Sequence, residues 1–145
     1  MFKQIKKLLK ELSEQPREKN TIDFNTALAA LLIEVMRADG KVLEIELIKI
    51  TEVLVERCEL DDKQVNALIT LAQQLVEQAI DLYAFVKQIN NNTSDIERIE
   101  IVQLLWFVAY ADNDIDRYED HIIRKIAGLL YVSHADFIAA KLAAQ

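Results

Sequence analysis

Glycine and proline are nearly missing from this chain: two Gly and one Pro stand in 145 residues. With so few breakers, long helices joined by short turns are the arrangement to expect. Cysteine occurs once, at Cys58, which excludes an internal disulfide and any requirement for an oxidising compartment. No apolar run approaches the roughly 20 residues that span a bilayer. Residues 1–15 start with basic groups, but charges interrupt any apolar stretch of a secretory signal, so the expectation is a cytoplasmic protein. His121 and His134 are the two histidines, and neither is spaced to activate Cys58. A non-enzymatic protein is therefore expected.

What is present is ordinary for one globular domain: 52% hydrophobic and 28% charged residues. A chain of this length buries roughly 68–70% of its unfolded surface. The net charge of −7 conceals an asymmetry. Residues 1–19 carry Lys3, Lys6, Lys7, Lys10, Arg17 and Lys19 against three glutamates, and the remainder holds 11 basic and 21 acidic residues, a net of −10. Such a body repels nucleic acid and attracts cations or basic protein surfaces.

Apolar spacing is helical nearly throughout. Phe2, Ile5, Leu8, Leu9 and Leu12 form one stripe, with Lys3, Lys6, Lys7 and Lys10 around it. The polar stretch from Gln15 to Asn20, with Pro16, reads as a linker, which divides the chain into an N-terminal helix and linker at 1–20 and a domain at 21–145. Further helices are expected at about Asp23–Ala38, ending at Gly40, then at Glu44–Cys58, from Asp61 or Asp62 towards Gln78, and from Asp81. Asn90 to Thr93 breaks the pattern. Ser94/Glu97 and Asp116/Glu119 have capping-box spacing and start helices lasting to Tyr110 and about Tyr131; Ser133/Asp136 starts a final one. The class is all-α, a bundle of seven to eight helices.

An internal repeat organises the chain. LLIEVMRADGKVLEIE, Leu31 to Glu46, lies over LLWFVAYADNDIDRYE, Leu104 to Glu119, without a gap. Each copy is a helix, a tight acidic turn and a second helix, and two such hairpins about a pseudo-twofold axis would form one bundle. The copies differ usefully. Glu34 and Arg37, able to pair in solvent, are replaced by Phe107 and Tyr110. With Trp106 beside them, the second copy's first helix is apolar nearly all round, so its outer face should be covered by the N-terminal helix, by the fourth and fifth helices, or by a partner protein.

Repeat identity also selects Asp39/Asp112 and Glu46/Glu119, seven positions apart in each copy. The spacing brings two carboxylates to one turn, where they either accept turn N–H groups or hold a hard cation such as Ca²⁺. Asp112, Asp114 and Asp116 match positions 1, 3 and 5 of an EF-hand loop, but Arg117 stands where Gly is needed and Ile123 where Glu is needed. The EF-hand fails. A different divalent-cation site on Asp112, Asp114, Asp116 and Glu119 remains, with Asp39 and Glu46 offering a poorer one in the first turn.

These paired ADG-x-V and ADN-x-I turns, each with Glu seven residues after Asp, resemble the TerB-like domain of tellurite-resistance proteins over about Phe24 to Lys141. They are also similar to the N-terminal region of DjlA-type membrane co-chaperones. The resemblance implies a bacterial helical bundle with no established catalytic activity, an acidic face proposed to bind metal ions, and membrane-associated partners in a stress response; its motif positions fall on Asp39, Gly40, Glu46, Asp112 and Glu119. The chain departs at Asn113, where the motif has Gly, although Asn tolerates the left-handed conformation. Three functions follow as expectations. The first is an acidic protein-interaction domain, ion-binding at its turns, with Trp106, Phe107 and Tyr110 towards a partner. The second is a peripheral membrane protein held by Phe2, Lys3, Ile5, Lys6 and Leu9. A hydrolase ranks third, for want of a visible pocket.

Overall fold

The computed structural model describes residues 3–13, 22–38, 40, 44–112 and 115–145, and among them places eight α-helices and no strand. In chain order these are α1 Lys3–Ser13, α2 Phe24–Met36, α3 Glu44–Cys58, α4 Asp62–Gln78, α5 Tyr83–Asn92, α6 Asp95–Ala109, α7 Arg117–Leu129 and α8 His134–Ala144. None of the described helices is long and apolar enough to cross a membrane.

Local chemistry sets the boundaries. Asp23 Oδ1 accepts the Thr26 N–H at 2.8 Å and starts α2. Asp61 and Gln64 cap α4 reciprocally, and Ser94 and Glu97 do the same for α6. Each pair satisfies amide groups that a helix start would otherwise leave without acceptors. Asp116 Oδ1 accepts from Tyr118 N at 2.9 Å and Glu119 N at 2.8 Å, which fixes the start of α7. Ser133 caps α8. Asn90 to Asn92, expected as a break, instead form the last turn of α5. The Asn92 amide donates to Gln88 O at 2.8 Å and the Asn90 amide to Leu129 O at 3.1 Å, so these side chains cap backbone carbonyls rather than interrupt the helix.

The sequence of α2 explains its central position. Ala27 to Ile33 are all fully buried, and the small Ala27, Ala29 and Ala30 let α3, α4, α5, α6 and α7 approach from several sides. α6 is the second buried rod: Ile101, Val102, Leu104, Leu105, Trp106, Val108 and Ala109 lie in the core. Its outer face is covered at Trp106 by α8, an element not expected there. The Phe137 ring lies 5.4 Å from the Trp106 ring, and Lys141 Nζ sits 4.9 Å over it. Phe137, Ala140 and Lys141 recur at three- and four-residue spacing, so one face of α8 reaches α6.

α1 packs against α2, α3 and α6. Ile5 is fully buried and Leu8 half-buried, while Lys3, Lys6 and Lys7 face outward. Glu100 of α6 accepts the Ile5 N–H at 3.0 Å.

At the end of α7, Val132 N–H donates to Ala127 O at 3.0 Å and Tyr131 N–H to Gly128 O at 3.1 Å. This is a Schellman motif in which Tyr131, at φ 60°, occupies the left-handed position usually given to glycine.

Candidate functional site

The third residue of α3 is Glu46 and the third of α7 is Glu119. The bundle sets these two helix starts against each other, so that the carboxyl groups come within hydrogen-bonding reach. Both residues are buried, at 2% and 3% exposure. Glu119 Oε1 receives the Asp116 N–H at 3.5 Å, completing the capping box of α7, while Oε2 is buried with no hydrogen-bond donor among the described residues.

Two ionised carboxylates bring no hydrogen between them, so their contact demands a positive charge. Either one proton is shared or a cation sits against the pair. Accordingly the Glu119 carboxyl is held well above the usual carboxylate range, first by burial, then by the hydrogen bond and charge of Glu46. The Asp116 N–H pulls in the opposite direction, less strongly.

Asp116 has committed Oδ1 to two backbone N–H groups, so capping, rather than an open ligand position, accounts for that oxygen. Phe2, Asp39 and Asp114, and the side chains of Leu9 and Asp112, lie outside the described residues. Among the described residues no group of three or more His, Cys, Asp or Glu is placed to hold a metal ion. The pair alone supplies two carboxyl groups of hard-cation chemistry, and a complete shell requires further oxygens.

Elsewhere the chemistry is quiet. Burial pushes the Cys58 thiol up to about 12, with the Asp23 charge adding to it, and Sγ lies 3.7 Å from Asn25 Oδ1. His121 and His134 are exposed. Asp120 is engaged by Arg124 at 3.2 Å and Lys141 at 3.3 Å. Glu34, expected in solvent beside Arg37, is half-buried, and its carboxyl is raised by burial against the pull of Arg37 and Lys125.

The aromatic residues separate. Trp106 is buried, whereas Phe107 and Tyr110 are half-buried and line a cleft of about 370 Å³ with Lys49, Ala111 and Gln145. Lys49 Nζ lies 4.8 Å over the Phe107 ring, and the Gln145 amide donates to the Tyr110 hydroxyl at 3.0 Å. Lys49 stands one turn along α3 from Glu46, so the cleft adjoins the carboxyl pair. Glu100 was not found from sequence, although an acid between Ile99 and Ile101, in helical register with Leu104, was its signal.

Fold and site together define an all-α domain, with no strand among the described residues, in which two helix starts bring a buried carboxyl pair together. A family model described as tellurite resistance protein TerB matches residues 25–142, and the chain belongs to that family. Comparison with curated proteins and with solved structures returns no match.

Proposed function

We propose that this chain is a non-enzymatic interaction domain of a tellurite-resistance-like bacterial stress system, and that its Glu46/Glu119 pole holds a divalent cation. The reading is carried by one observation: the Glu46 and Glu119 carboxyl groups, both buried, lie within hydrogen-bonding reach of each other. A cation such as Ca²⁺ would neutralise two facing carboxylates in place of a shared proton, and oxygen ligands of this kind suit it. Glu46 and Glu119 would hold it, with water supplying further oxygens. Bound there, the ion neutralises both carboxylates and ties the start of α3 to the start of α7. The neighbouring Phe107/Tyr110 cleft is the face for a protein partner, because an apolar, aromatic floor beside an acidic pole suits a peptide with apolar anchors and basic flanks.

Calorimetric titration of Ca²⁺, Mg²⁺, Mn²⁺ and Zn²⁺ into the full chain and into a Glu46→Gln/Glu119→Gln variant tests the ion. Saturable binding of at least one ion to the native chain, lost in the variant, is the expected outcome. No binding at millimolar ion would leave the pair as a shared-proton contact and remove the reading.

A further inference from the structure

α1 is the basic element of an acidic protein. Its described apolar face consists of Ile5, fully buried, and Leu8, half-buried. Its described cations, Lys3, Lys6 and Lys7, all point away from the bundle. Among the described residues a long-range polar contact fastens it: the Glu100 carboxylate, 9% exposed, accepts the N–H of Ile5 at 3.0 Å from 95 residues away in the chain. Ile5 lies in the first turn of α1, where backbone N–H groups lack intrahelical acceptors and the helix end is partially positive, so an anionic acceptor there is well matched.

We propose that α1 is a latch that exchanges its seat on α3 and α6 for an anionic membrane surface, with Glu100 holding the docked form. The two states compete for the same apolar stripe: Ile5 and Leu8 face the bundle in one and lipid in the other. Released into water, the Ile5 N–H is hydrated and α1 presents an apolar stripe flanked by lysines, the composition of an interfacial helix. Charge complementarity selects anionic lipid as the occupant, since lysines near such a surface add attraction independently of the stripe. Nucleic acid offers the same phosphates but no place for the stripe, and the rest of the chain, at net −10, repels it. Docking lowers the apparent membrane affinity by the fraction of molecules in which α1 is free.

Co-sedimentation of the full chain with phosphatidylglycerol/phosphatidylcholine vesicles tests this, against phosphatidylcholine alone and with an oligonucleotide as competitor. Glu100→Ala is expected to strengthen partition into anionic vesicles about tenfold, because a hydrogen bond to a charged acceptor is removed only from the docked form. Replacing Lys3, Lys6 and Lys7 by Gln is expected to weaken partition about a hundredfold, at roughly one increment per lysine, with an unchanged melting curve because these side chains are exposed. Neutral vesicles should bind neither form. The proposal is overturned if Glu100→Ala, shown helical by circular dichroism, partitions no better than the native chain. It is equally overturned if the oligonucleotide binds as tightly as anionic lipid, or if the native chain and the triple-Gln variant partition alike. That last comparison stands whether or not Glu100→Ala folds.

Discussion

Glu46 and Glu119 begin helices 73 residues apart in the chain and meet as buried carboxyl groups, so the junction of α3 and α7 is made by two acids of the same sign. In metal-free buffer the pair opposes folding whenever both are ionised. Because the Glu119 carboxyl is raised in the folded chain, its contribution is most favourable below the unfolded value of 4.5 and is lost as pH rises through the folded value.

Replacing Glu119 by Gln should therefore stabilise the chelator-treated protein at neutral and alkaline pH. Gln still completes the capping box and its amide can donate to Glu46, so a gain of about 1–3 kcal/mol is expected from satisfying the buried pair. Urea unfolding from pH 4 to pH 9 checks it: the variant's stability should fall less steeply with pH than that of the native chain.

The helices were legible in the sequence because their signals are local. Asp61 with Gln64 and Ser94 with Glu97 are three residues apart, and each pair does what its spacing implies. Glu46 and Glu119 were legible as positions, through the repeat, but not as a contact, because which helix starts face each other is decided by how α2 is enclosed. Ile5 with Glu100 and Trp106 with Phe137 were beyond reach for the same reason: each joins separate elements, and nothing within one helix window marks its partner. The run Asn90 to Asn92 misled because asparagine is a poor helix former in isolation, yet here its amides found carbonyls to cap.

Tyr131 adopts φ 60° and is 80% exposed, so it bears a left-handed cost with little burial in return. Tyr131→Gly should raise stability by about 1 kcal/mol, the left-handed penalty less the extra entropy of glycine in the unfolded chain. Thermal unfolding of the variant should show a higher midpoint, of the order of a few degrees for a chain of this size.

Cys58 should be unreactive while the chain is folded. With its thiol pushed up to about 12, the thiolate population at pH 8 is negligible. Iodoacetamide labelling followed by mass spectrometry should show modification only as fast as unfolding exposes the residue, and near-complete labelling in denaturant. Rapid labelling of the native chain at pH 8 would contradict this.

α6 has a further consequence during synthesis. It is apolar on nearly every side, and the face at Trp106 is covered by α8, which follows it in the chain. At translation rates of about 5–20 residues per second, the 35 residues from Ala109 to Ala144 take roughly two to seven seconds to add. Throughout that interval a sticky rod has emerged or is emerging without its lid. The nascent protein is thus at greatest risk of self-association just before α8 leaves the ribosome.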